Sequence, residues 1–544
     1  VQNVIIGGNA GDALTTGSNN VAVGTFALTT DDLGSYNTAV GYNTLASMNF
    51  ASDTNSYNTA VGARAGQNIS TGVGNTAVGA LAGDAITTAS NLTSLGYGAL
   101  SSNTIGSDNT AIGYHSLVLN VASNRNTAVG YATLYNQTHS SGQNAYNTAV
   151  GYNTGYAITS AVYNTLVGGE AGDALTTGTR NSVLGYSALG SATTGQYNTA
   201  MGSYALNVST TADHNTAIGY NAGGSITTGT QNTIVGSLAG DALTTGGYNV
   251  FMGVNTGSYA TTAEENVAIG QGAYYGVGTG SQNVVIGNSA GAAMTSATQN
   301  TILGAVAGND MTTGAWNVLL GRNSGGKLTT AAYNTGVGTN TLAEITSGQY
   351  NVAVGYQALD NENTANNSTA VGAYALTTQQ GASNNVAMGY AAGHDVSTGT
   401  QNVFMGSYAG ANITSAPSNT AIGYYALQTD TQGRDSVAIG ATALSTQNFT
   451  SSTYSYNVAV GSASGQLLTT GIKNTFVGAR TAYNLTTASN NTFLGNHAGY
   501  DLTTGSNNTF VGNDAGVNAT TAEANTILGS FAGDGLTTGS SNVA

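Results

Sequence analysis

The sequence predicts an all-β protein, a parallel β-solenoid. Three observations predict it: a strict internal period, a glycine held at one place in every repeat, and a composition suited to turns rather than helices. The motif Asn-Thr/Val-Ala-Val/Ile-Gly recurs from Asn3 to Asn542 with 31 intervals, 28 of them 17 residues long and three of 21. The long intervals begin at Asn37, Asn126 and Ser436. A fixed period held over a whole chain marks stacked supersecondary units rather than separate domains. Residues 1–544 are therefore expected to form one uninterrupted tandem-repeat segment of about 31 coils, cut mid-repeat at both ends.

With the Asn as position 1, position 5 is Gly in every complete copy, from Gly7 and Gly24 to Gly529. A residue type held without exception points to a backbone need, either a positive φ or a close approach of chains. Position 1 departs from Asn only at Leu92, Ser368 and Ser436. Stacked Asn side chains can hydrogen-bond along a ladder, as in other cross-β assemblies. Position 4 is always aliphatic or Met, as in Ile6, Val23, Met201 and Leu528, while position 3 is mostly Ala with larger apolar residues such as Ile234, Phe251, Phe404, Phe476 and Phe510. Alternation along a strand puts positions 2 and 4 on one face and position 3 on the other. Both faces read as buried, one in the chain's own core and one against a partner, so a homo-oligomer is expected.

A second apolar slot emerges from comparing copies. Where position 9 is Gly, position 12 is usually aliphatic, as in Gly11 with Leu14, Gly83 with Ile86 and Gly240 with Leu243. Where position 9 is Leu, position 12 is usually polar or small, as in Leu28 with Asp31, Leu100 with Asn103 and Leu359 with Glu362. Leu342 with Ile345 breaks the rule. One core site filled from either of two backbone positions keeps interior volume constant along a stack. It predicts two coil shapes, a tight Gly type and a Leu type with a looser outer edge.

Composition agrees. Glycine reaches 79 residues, with one proline and no cysteine, which suits short strands and tight turns and is poor material for helices. Charge is scarce, with 8 basic and 23 acidic residues and a formal net of −15. A charge kept at one repeat position would face its own kind about 4.8 Å above and below. The acidic balance argues against nucleic acid, since phosphate binding needs basic patches. No run of about 20 apolar residues exists, so no membrane insertion by this segment is expected.

The Asn-x-Ala-Val/Ile-Gly frame resembles the head repeats of trimeric autotransporter adhesins, and similar repeats occur in phage tail-fibre proteins. The resemblance covers the whole chain through positions 1 to 5; the 17-residue coil is longer than the family's usual unit, and the Leu-Thr-Thr-Gly segment is this chain's own. It implies a parallel β-roll assembled as a homotrimer, in an extracellular fibre on a cell surface or virion. Its expected role is structural and adhesive, with self as one partner and an unknown surface receptor or glycan as another. The shaft of a phage tail fibre and a self-assembling extracellular filament are the alternatives.

No enzyme is expected. There is no cysteine nucleophile, and no Gly-x-Ser-x-Gly elbow or phosphate loop stands in a strand–helix setting. The five histidines, His115, His139, His214, His394 and His497, fall at different repeat positions with no recurring ligand spacing, and read as solvent-exposed variation. Asp173, Asp241 and Asp534 recur in Ala-Gly-Asp-Ala/Gly-Leu-Thr-Thr-Gly, but the calcium nonapeptide pattern is absent. Catalytic, cofactor and metal residues are thus expected to be none. The Thr-Thr pairs at positions 13 and 14, such as Thr176-Thr177, raise ice binding by a flat hydroxyl array. Ten tyrosines follow the position-5 Gly and nine precede the Asn, where rings can stack on sugars or on neighbouring coils. The 21-residue coils carry their extra residues in outward loops, so Asn49, Phe50, Asn136, His139, Asn448 and Phe449 are the candidate surface-contact residues.

Overall fold

The computed structural model describes residues 2–139 and 142–544. These residues lie in strands, turns and bends, with no helix among them. The chain divides into two compact units, Val1–Gly272 and Ala273–Ala544. In the first, sixteen three-residue strands from Val4–Ile6 to Val267–Ile269 pair in parallel, each with the strand of the next turn. The second repeats the plan with fifteen such strands, from Val284–Ile286 to Thr526–Leu528. Register is in phase with the repeat: Thr199, Ala200 and Met201 face Thr216, Ala217 and Ile218. The fold is therefore a parallel β-solenoid of about 31 turns, most of them 17 residues apart.

Backbone pairing continues beyond the strands and around the turns. In the coil from Asn198, the N–H groups of Thr199 and Leu206 reach Asn215 and Ala222 of the following coil at 2.8 and 3.1 Å. Those of Gly202 and Tyr204 reach Leu184 and Tyr186 of the preceding coil at 2.7 and 3.0 Å. Both expected reasons for the invariant glycine hold. Gly219 has φ +137°, and a Cβ there would stand 2.5 Å from the carbonyl oxygen of Gly236 in the next coil.

The Asn ladder is present and buried. Asn232 receives its place from Asn215, whose Oδ1 accepts the Asn232 backbone N–H at 2.9 Å and its side-chain amide at 3.1 Å. The same amide donates to the Gly246 carbonyl at 3.0 Å, closing the coil on itself. Where Ser replaces Asn, a glutamine at position 12 of the same coil takes over the reach. Gln379 donates to Ser368 Oγ at 3.1 Å and accepts from Asn385 at 3.3 Å. Gln447 likewise donates to Ser436 Oγ at 2.9 Å and accepts from Asn457 at 2.9 Å.

The core of each unit is narrow and fills by exchange. Position 3 points inward: Ala22, Ala128 and Ile234 in the first unit and Phe404, Phe493 and Phe510 in the second are fully buried. A Cβ on Gly66 would lie 2.9 Å from Ile69 Cδ1, so position 12 occupies the room that a position-9 side chain would need. Position 3 borders the same space. Phe251 is accompanied by Gly257 and Ala260, and Phe510 by Gly516 and Ala519, whereas Phe404, Phe476 and Phe493 keep Ile413, Leu485 and Leu502 at position 12. In the exception, Leu342 with Ile345, both are buried, and their coil carries Gly336 at position 3, where a Cβ would meet Ser324 Oγ at 2.6 Å.

Only one strand face is buried within the chain, that of position 3, and the face of positions 2 and 4 lies outward, because a 17-residue coil encloses room for only one face of its strand. One expectation needs correction. The Leu-type coils have no looser edge: Asp31, Asn103, Asn120, Glu362 and Asp430 at position 12 are buried. Each bends in to cap a backbone N–H three residues on, as Asn103 Oδ1 does for Gly106 at 3.0 Å and Asp430 Oδ1 for Gly433 at 2.9 Å.

Candidate functional site

The outward sheet face is the first candidate. Positions 2 and 4 hold Thr, Ser, Val, Ile, Leu or Met in every coil and never a charge. The position-4 side chains stand one above another along each unit. Leu184 in the first unit is 51% exposed, and Leu303 in the second 47%. An unbroken apolar rank in water is uncommon on a monomer and marks an interaction surface.

Aromatic ranks run along other edges. At position 6 of the first unit, Tyr97, Tyr114, Tyr131 and Tyr152 stack with centroids 5.2–5.5 Å apart. At the residue before the Asn, Tyr163, Arg180 and Tyr197 interleave, the guanidinium lying 5.3 and 5.4 Å from the two ring centroids. In the second unit Trp316, Tyr333 and Tyr350 stack at 4.9 and 4.8 Å, within 4° of parallel. Rings this close cover one another's faces, so these ranks brace the turns and present mainly edges.

The described residues of the three long coils make corresponding parallel pairings. Thr54–Asn55 pairs in parallel with Gly34–Ser35, and Thr453–Tyr454 with Gly433–Arg434. Asn124 and Asn144 form the corresponding bridge in the third. Of the six candidate residues, Asn49 and Asn448 are exposed and Asn136 is half-buried. Phe50, His139 and Phe449 are only 6, 7 and 7% exposed. Their expected outward placement is corrected: each turns under the loop and plugs the wider coil that the extra residues create. Ser140, which follows His139, lies outside the described residues.

Burial holds the His139 imidazole below its ordinary pKa, against a smaller opposing effect of a hydrogen bond to the Ala161 backbone. That burial also corrects its reading as a solvent-exposed variant. The other four histidines are partly exposed, in ring or ion contacts. His214 stacks on Tyr197 at 4.8 Å, His115 on Tyr114 at 4.0 Å, and His497 Nδ1 is 3.2 Å from Asp514. No group of three or more potential metal ligands occurs among the described residues. Asp241 accepts a hydrogen bond from Ser258 at 2.6 Å, and burial raises the Asp173 carboxyl with help from nearby Glu170. In the Thr-Thr pairs, the first hydroxyl is already committed to the next coil, as Thr176 Oγ1 to the Thr193 carbonyl at 2.9 Å. The second is exposed, as at Thr177, and in the first pair Thr16 Oγ1 donates to Asp53 Oδ1 at 2.7 Å.

Scarce charges are set against opposites in adjacent coils. Lys327 pairs with Glu344, and Arg125 lies 3.7 Å from Asp108. A cleft in the second unit is a notch of about 290 Å³, lined by Tyr374, Tyr390, His394, Tyr408, Asn412 and Gln428 over Ala391 and Ala411. Sequence reasoning missed it. Its signal is local: at position 7 Ala391 stands between Tyr374 and Tyr408, and at position 10 Ala411 stands between His394 and Gln428. The chain matches no family model, and no curated protein matches its sequence.

Proposed function

We propose that the chain is a segment of an extracellular surface fibre with a structural and adhesive role, assembled as a homotrimer through the outward face of positions 2 and 4. The observation that carries this is the charge-free aliphatic rank repeated in every coil of both units. A surface of that length gains by being covered, and a second and third copy of the same repeat offer matching ranks at the same spacing. The resemblance of the Asn-x-Ala-Val/Ile-Gly frame to adhesin head repeats supports three copies rather than two. In such an assembly each weak contact with a target surface is multiplied along the fibre and across its copies.

Light scattering of the intact chain tests the proposal. The expected mass is three times 54.0 kDa. Met201→Lys, Ile218→Lys and Val235→Lys together place charge on the rank without touching the core, and are expected to yield monomer with its solenoid retained. A monomeric wild-type chain, or a trimer indifferent to the three lysines, overturns it.

A further inference from the structure

We propose that the notch spanning the coils from Ser368 to Asp435 is a carbohydrate site that takes a single pyranose ring. Two alanines, each between larger neighbours in the adjacent coils, open it. At position 7, Tyr374 and Tyr408 flank Ala391 in the intervening coil. At position 10, His394 and Gln428 flank Ala411. Each alanine removes one side chain from a rank whose neighbours are about two strand spacings apart, roughly 9.6 Å. The two vacancies lie next to each other and merge.

The lining suits a sugar. Tyr390 meets Tyr374 and Tyr408 edge to face, at 5.8 Å and 82° and at 5.3 Å and 73°, while Tyr408 stacks on Tyr425 at 5.2 Å on its other side, so the rings toward the notch are not closed into one parallel stack. Aromatic walls and an alanine floor match the C–H face of a pyranose. The amides of Asn412 and Gln428 have no hydrogen-bond partner among the described residues, and each offers a donor and an acceptor to vicinal hydroxyls. His394 is held by Asp395 through Nδ1 at 2.6 Å, which fixes the imidazole at the rim. No lysine or arginine lines the notch and Asp395 is beside it, so an anion such as phosphate is disfavoured. Its 290 Å³ is at the lower end of the roughly 300–1,000 Å³ of small-ligand sites, room for one ring and not an extended chain.

This proposal names a ligand class for the adhesive fibre and rests on that reading for its biological sense, but its test does not depend on oligomeric state. Saturation-transfer NMR with methyl glucoside, galactoside, mannoside and N-acetylglucosaminide, each at millimolar concentration, is expected to show at least one binding. Ala391→Tyr refills the vacancy without new backbone strain, since φ is 52° at Ala391 and 60° and 57° at Tyr374 and Tyr408. It is expected to weaken binding at least tenfold, while Tyr333→Ala in a closed stack changes it less than twofold. Absence of transfer to every sugar, binding that survives Ala391→Tyr, equal loss with Tyr333→Ala, or adenosine binding in preference to all four sugars overturns the proposal. A monomer that binds a sugar through this notch refutes the trimer and leaves the site standing.

Discussion

At position 12 of the Leu-type coils the same backbone cap is built from a carboxylate in some turns and from an amide in others. Asp31 Oδ1 accepts from Gly34 N–H at 2.9 Å, but its Oδ2 is buried with no partner. Asn103 makes the equivalent bond and also donates to the Gly106 carbonyl at 2.7 Å. Burial raises the Asp31 carboxyl above its ordinary value of 3.8, with neighbouring Asp32 adding to the effect against the Gly34 hydrogen bond. The native chain therefore holds this proton more tightly than the unfolded chain. Stability from this group is present at low pH and is lost as pH rises through the raised value. Asp31→Asn is expected to stabilise the coil by about 1 kcal/mol at pH 7. The gain should fade as pH approaches 3.8, read as hydrogen exchange of the coil's amides at several pH values. At this scale the invariant Gly and the Asn ladder were legible, because Gly recurs in every complete copy and Asn in all but three. The positive φ of bulky residues such as Tyr197 (57°), Leu206 (50°) and His214 (60°) was not, since nothing in those side chains marks a left-handed backbone. They hold it because the ladder on both sides fixes their neighbours.

The coil is the element of this fold, and positions 9 and 12 share one interior space that position 3 borders. Gly336→Ala is expected to destabilise its coil by about 1–3 kcal/mol through overpacking against Ser324 and Leu342. Adding Leu342→Gly recreates the arrangement of Ala60, Gly66 and Ile69 and should recover most of that loss. A double variant no better than Gly336→Ala alone in denaturant-dependent hydrogen exchange would show the exchange to be coincidental. The exchange between positions 9 and 12 was legible in the sequence; the bordering place of position 3 was not, because Ala predominates there. Which strand face lies inside was also hidden. Both faces are apolar, and the smaller residue is the one enclosed.

The long coils follow the same logic with an aromatic plug. His139 occupies the place of Phe50 and Phe449, and burial lowers its pKa from the ordinary 6.5. The unfolded chain therefore takes the proton first, so the stability present above 6.5 is lost as pH falls toward the depressed native value. Amides of residues 126–139 should open more readily at pH 5 than at pH 7 after correction for intrinsic rates. His139→Phe should abolish the difference; persistence of it would place the proton elsewhere. Insertions alone gave the location of these loops but not the inward turn of their rings, which depends on the cavity that widening a coil creates.

Over the whole molecule, stability is a sum of coils and of the contacts each makes with its two neighbours, so opening is expected to be local rather than global. The 17-residue period made this legible before any coordinate. The notch was not, since it depends on two alanines between larger neighbours rather than on a motif. A further consequence lies in the direction of the Asn ladder. Wherever Asn follows Asn in the ladder, the earlier coil supplies the acceptor and the later one the donor, as from Asn283 to Asn300 to Asn317 at 3.1 and 2.9 Å. Within each unit, a finished coil is thus a template that waits for residues 17 places downstream, or 21 at the long coils, and the cost of closing that span is nearly the same at every step. The order in which the chain leaves the ribosome or a secretion pore can therefore also be its order of assembly. Length then prolongs folding in proportion, like closing a zip, without deepening any single barrier.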